Sequence, residues 1–256
     1  MPPTVRALPP LALAFHGVAD VPLKHDPQGL FVAPEELRRH LRRLRDWGYT
    51  LVTFGGLAQL AADGRAAGHA ALTFDDGLVD NLESLVPLLD EEDAPATVFV
   101  VSGWLGRPYP WGAWARIVTA EELKELAAKG VEIGAHSRNH DDLSTLGYEA
   151  ARADLEECKR VLEEMVGPVE TAAYPFGYAN EETIRACREA GFRAACRISG
   201  EGSWSEPYNL PRQDMLNNSS ALGLRLKRDG LYEPLMRFAP ARAARKASRT
   251  LKGLAQ

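Results

Sequence analysis

AALTFDDGLVDNLESLVPLLDEEDAPATVFVV, residues 70–101, is the stretch that sets the architecture. Its opening AALTF is a short apolar run without alternation, the pattern of a strand covered on both faces. Asp75-Asp76-Gly77 stops it. Asp-Gly is a hairpin signal, yet no strand returns. Instead Leu82, Leu85, Val86 and Leu89 recur at helical spacing over 81–92. The β-branched run at 97–101 then predicts a second buried strand. Strands joined by a helix run parallel.

The same alternation extends both ways. Strands are predicted at 11–15, 50–53, 131–135, 169–174, 192–198 and 208–211, and helices at 34–47, 57–62, 119–129, 148–166 and 180–190. Thr119 and Glu122 form a capping box at the start of one helix. Repeated strand–helix units predict an α/β protein with a parallel sheet inside its helices. With seven or eight strands, the expectation is a distorted (β/α) barrel. No linker interrupts the chain before 222, so the predicted division is a barrel domain over 1–221 and an extension over 222–256.

Charge separates the two parts. The whole chain of 256 residues has a net charge of −5, but 222–256 holds nine Lys/Arg against two Asp/Glu. Such a tail is read as a solvated extension or, alternatively, as an amphipathic helix touching anionic lipid. The acidic body and the lack of any nucleic-acid motif exclude nucleic acid as a partner. The opening MPPTVRALPP lacks a secretory pattern. Cys158, Cys187 and Cys196 show no paired spacing and fit a reducing compartment as packing residues. The expected location is the cytoplasm, with the inner membrane face as a peripheral site. His25, His40 and His69 are read as surface residues.

The chemistry lies at predicted strand ends. Asp75 and Asp76 follow one strand, and HSRNH (136–140) follows another. Four-residue spacing places two imidazoles within reach of one ion, although two solvated loop histidines satisfy the same spacing. In a parallel barrel the strand C-termini share one face. Phe15-His16-Gly17 and YPFG (174–177) fall at such ends too. Two carboxylates and two imidazoles suffice for a metal site with a general base.

TFDDG followed by H-S-x-x-H resembles the first two motifs of the polysaccharide deacetylases, carbohydrate esterase family four, and YPFG resembles the third. The resemblance covers about 11–215. It implies that Asp76, His136 and His140 hold a divalent ion, usually Zn²⁺, with Co²⁺, Ni²⁺ or Mn²⁺ also admitted. It implies Asp75 as base and the Phe176 backbone N–H as oxyanion donor, with Pro175 fixing that loop. Two departures stand out. The late histidine that serves many members as acid is missing, since none follows His140. LALAFHGV (11–18) resembles the early strand of poly-N-acetylglucosamine deacetylases, which makes His16 the candidate acid. Ala173 occupies the place of the third motif's arginine; Arg212 of NLPRQD is the candidate replacement, with Asp214 as its buttress. Tyr174, Pro175, Trp111, Trp114 and Trp204 are the expected substrate contacts, the tryptophans by stacking on sugar rings. Trp104, Tyr109 and Tyr208 either join them or roof the barrel.

The implied activity is metal-dependent removal of N-acetyl groups from a sugar of a polysaccharide or glycan intermediate. The alternatives are a sugar O-ester deacetylase, a deformylase or another C–N amide hydrolase on the same site, and a non-catalytic carbohydrate-binding member.

Overall fold

The computed structural model describes residues 7–112, 114–198 and 202–236. Eight strands pair in parallel: β1 (Leu11–Phe15), β2 (Thr50–Val52), β3 (His69–Phe74), β4 (Thr97–Val100), β5 (Glu132–Ala135), β6 (Thr171–Ala173), β7 (Ala194–Cys196) and β8 (Gln213–Asp214). Their order is β7-β6-β5-β4-β3-β1-β8, with β2 branching from β3. Leu210 also bridges Cys196 of β7. Segment 210–214 therefore touches both edges and curls the sheet round on itself, giving the expected (β/α) barrel. Its last strand is displaced from the predicted 208–211. Pro211 has no N–H to continue pairing with β7, and the chain then pairs with β1 instead.

The helices are α1 (Pro34–Asp46), α2 (Phe54–Ala62), α3 (Val86–Glu92), α4 (Ala120–Ala128), α5 (Tyr148–Val166), α6 (Glu181–Glu189), α7 (Ala221–Arg228) and α8 (Tyr232–Met236). Both halves of the Thr119–Glu122 capping box are formed. The helix predicted over 81–92 begins as one wide π turn, Asn81–Leu85, where Pro87 has no N–H to donate back to the Glu83 carbonyl.

Alternation along the strands sorts two cores. Leu11, Leu13, Phe15, Leu72, Phe74, Val98 and Val100 face the helices. Ala12, Ala71, Phe99, Ala173, Ala194 and Cys196 face inward. Small inward residues leave room for α2, whose Phe54, Leu57 and Ala58 plug one end of the barrel. Beneath the plug, Glu132 accepts from the Gly55 N–H at 3.0 Å and from Thr97 Oγ1 at 2.7 Å. A carboxylate there meets the positive end of the helix.

Three expectations need correction or bounding. The division at 221/222 runs through α7, whose buried Leu224 joins the outer core and whose Lys227 Nζ donates to the Asp214 carbonyl. Residues 222–236 thus belong to the barrel, with Leu222, Leu231 and Leu235 exposed; residues 237–256 of the basic extension lie outside the described residues. His40 is not a surface residue. It shares the apolar face of α1 with Leu37, Leu41 and Leu44, is fully buried, and neither ring nitrogen has a hydrogen-bond partner. The three cysteines are free and buried. Among the described residues no helix is long and apolar enough to cross a membrane.

Candidate metal centre and active site

Asp76 is the hub. Its Oδ1 lies 3.4 Å from His140 Nε2 and 3.6 Å from His136 Nε2. One ligand atom from each of the three residues falls within 4.8 Å of the others. Asp76 Oδ1 is buried and receives no hydrogen bond, while Oδ2 accepts from Tyr109 Oη at 2.8 Å. Burial and the Asp76 carboxylate push the Tyr109 phenol up, so it remains a donor. His136 Nδ1 sits 2.8 Å from the Ala173 carbonyl. That carbonyl accepts a hydrogen bond from Nδ1–H, which leaves the Nε2 lone pair turned toward Asp76. Burial, aided by His136, pushes His140 down to about 4, which keeps its ring in the neutral form that ligates. A carboxylate oxygen and two imidazole lone pairs repel one another unless a cation lies between them. The donor set therefore fits a divalent ion with three protein ligands and open positions.

The backbone is bent to this purpose. Asp76 (φ 75°), Ser137 (φ 63°), His140 (φ 61°) and Phe176 (φ 58°) adopt left-handed conformations without being glycine. Each such residue costs of order 1 kcal/mol, and such residues cluster where a site requires them. Ser137 Oγ accepts from the His140 N–H at 2.9 Å, and Asp154 of α5 accepts from the Arg138 N–H at 2.7 Å. These two bonds pin the HSRNH turn.

Asp75 stands beside the triad, 4.0 Å from His136 Nε2. Arg212 grips it with two guanidinium nitrogens, at 2.6 and 2.9 Å. The guanidinium is fully buried inside the barrel, also donates to Thr73 Oγ1 and the Arg197 carbonyl, and lies over the Phe99 ring. Burial pushes the Asp75 carboxyl up, but Arg212 and then His136 more than reverse this and hold it well below the usual carboxylate range. Among the described residues Asp214 makes no hydrogen bond or ion pair with either partner, though its charge acts on Arg212. His16 caps β1 close enough for its charge to act on Asp75 and His140.

The aromatic residues divide. Trp111 is 40% exposed, with its ring 5.0 Å from His140 and 6.4 Å from Phe176. Phe176 is 48% exposed, and Trp104 stacks on His140. These rings line the mouth above the triad. Pro175 is buried in the turn beneath Phe176. Tyr174 is not a substrate contact. Strand alternation turns it outward from Ala173, into the helix-facing core, where its hydroxyl donates to the Tyr208 carbonyl. Trp204 is not one either. The chain after β7 returns to the opposite end of the barrel before 210, and Trp204 is partly buried against the inner core that includes Phe54 and Leu57 of α2. Trp114 rests on Phe31 and donates to the His25 carbonyl, apart from the rings around His140. Tyr109, in contrast, supports a ligand; no spacing in the sequence marks that role.

Residues 63–195 match the family described as polysaccharide deacetylase, and the chain belongs to that family. It is 29% identical over 167 residues to YxkH of Bacillus subtilis, which carries the name of a polysaccharide deacetylase, covering 64% of this chain and 57% of that one. It is 26% identical over 155 residues to the chitooligosaccharide deacetylase of Sinorhizobium fredii, covering 59% and 66%. The chain thus spans between about half and two thirds of these relatives' length. The fold matches that of Streptococcus pyogenes deacetylase PplD with a TM-score of 0.73 at 22% identity, over 86% of this chain and 97% of that one.

Proposed function

We propose that this protein is a divalent-metal-dependent N-deacetylase of N-acetylated sugars in a polysaccharide or glycan intermediate, with zinc as its metal. One arrangement carries the reading: the buried, donorless Asp76 Oδ1 faces two imidazoles, with ionised Asp75 clamped alongside. An ion held by Asp76, His136 and His140 supplies Lewis acidity toward the amide carbonyl and activates the attacking water. Asp75 takes the proton of that water as its oxygen bonds to the acetyl carbon. Clamped by Arg212, Asp75 is a weak base, but it is always ionised and always aimed. Arg212 thereby stands in for the arginine absent at Ala173. The Phe176 N–H has no acceptor among the described residues and donates to the developing oxyanion. His16 gives a proton to the leaving nitrogen as the C–N bond breaks, releasing acetate and a free amine.

Trp111 and Phe176 offer exposed rings to the sugar. The names of relatives, a chitooligosaccharide deacetylase and a peptidoglycan-N-acetylglucosamine deacetylase, point to N-acetylglucosamine. Free, buried thiols suit a cytoplasmic setting, and the basic 222–256 stretch suits contact with anionic lipid there.

The test is a free-amine assay on β-1,4 and β-1,6 N-acetylglucosamine oligomers and peptidoglycan fragments. Amine release is expected from at least one, lost on chelation and restored by Zn²⁺ or Co²⁺. Asp75→Asn is expected to reduce it by about 10²–10⁴-fold. Turnover indifferent to chelation or to Asp75→Asn would overturn the reading. Activity on an aryl acetate alone would move it to the esterases.

A further inference from the structure

The stretch that carries Asp75 and Asp76 runs on into Asp80-Asn81, a buried polar pair that the chemistry above leaves unused. Asn81 Nδ2 donates to the His16 carbonyl at 3.1 Å and to Asp80 Oδ1 at 3.2 Å. Asp80 Oδ1 also accepts from the Val18 N–H at 2.7 Å. The pair therefore grips the chain on both sides of Gly17, directly beyond β1.

Neighbouring contacts leave this turn no slack. A Cβ on Gly17 would lie 2.1 Å from the Phe31 ring. Phe31 is itself tied down, because Asp26 accepts from the Leu30 and Phe31 N–H groups at 2.9 Å. Two acceptors around Nδ2 fix which way the Asn81 amide faces. Its Oδ1 is then buried without a donor, and His16 Nδ1 is buried without a partner. Asn81 is thus joined to His16 through the backbone carbonyl alone, and its Oδ1 makes no bond to the ring.

We infer that Asp80 and Asn81 are positioning residues for His16: they hold the backbone on both sides of Gly17 and so fix where the imidazole that protonates the leaving nitrogen stands. The inference rests on the reading of His16 as the acid. An imidazole that must deliver a proton to the leaving nitrogen needs a fixed point of attachment, because small misplacements of a reacting group are costly. When the C–N bond breaks, its electron pair and the Nε2 proton both go to nitrogen. The ring, an imidazolium before this step, is left neutral.

The test is a double-mutant cycle on the best oligosaccharide of the panel above, using metal-loaded enzyme and following thermal unfolding in parallel. Asn81→Ala is expected to lower kcat by about 10–100-fold, the scale set by small misplacements of reacting groups, with KM within about threefold. In the His16→Ala background the same change should cost nothing more. A loss that persists in that background, a loss confined to KM, or no loss at all overturns the inference. His16→Ala with full amide turnover overturns the acid reading, and the inference goes with it. His16→Ala impaired beside a silent Asn81→Ala sinks the inference alone. Should Asn81→Ala not fold, the Asp80 pair decides. Asp80→Asn keeps an acceptor for Val18 and should recover most of the kcat lost in Asp80→Ala; equal losses count against it.

Discussion

Arg212 and Asp75 form a buried pair that is costly to break. Both are buried, and removing one leaves the other uncompensated, a loss of about 3–5 kcal/mol for pairs of this kind. Arg212→Met is accordingly expected to lower stability in urea by that amount and to reduce deacetylation by at least about 100-fold, while the metal triad still binds Zn²⁺. Full activity in Arg212→Met would remove it from the site. Tyr109→Phe tests the support of Asp76: metal affinity should fall about 10–100-fold, measured by competition with a chromophoric chelator. Individual side chains were legible in the sequence where a motif carried them, as with Asp76, His136 and His140. Arg212 was legible only as a replacement for something absent. Tyr109 was not legible as a ligand's partner, because its place depends on how the long loop 102–118 folds back over β3. Tyr174 and Trp204 misled, since an aromatic residue near a motif says nothing of which face of the sheet it takes.

Most elements were readable from apolar period and caps, and α5 was predicted to the residue. The failures lie where pairing partners change along a segment. Segment 210–214 leaves β7 for β1 at Pro211, and no local pattern announces that switch. α7 was misassigned because its basic residues outweigh its one inward leucine in any composition count. Its membership in the barrel has a measurable consequence. Leu224→Ala should destabilise the whole domain by about 2–5 kcal/mol, as for other fully buried leucines. A helix merely appended to the barrel would give under about 0.5 kcal/mol in the same chemical denaturation. α2 answers a different need: the small inward residues of the strands leave an opening that Phe54 and Leu57 fill from one end.

The molecule as a whole should lose stability in mild acid, and His40 gives one reason. Burial lowers its pKa to about 4, against Glu36, which raises it; Arg43, Lys227 and Arg39 add to the lowering. Unfolded, the same ring takes up a proton near 6.5. Between these values the unfolded chain binds more protons, so stability falls as pH drops from about 6.5 toward 4. His40→Leu should flatten that part of the profile of melting temperature against pH; an unchanged slope would assign the acid sensitivity to other groups. Metal has a comparable global effect. Ligand present at 100 times its dissociation constant adds about 2.7 kcal/mol to a folded state that alone binds it. A chelator should therefore lower the melting temperature as well as stop turnover.

Asp75 lies in the first third of the chain, and the cation that neutralises it arrives 137 residues later, on the segment that closes the ring. A ribosome releases the chain from its N-terminus. Until that segment emerges, the barrel would have to enclose a bare anion. The seam of the nascent protein thus cannot close around Asp75 before Arg212 has been made.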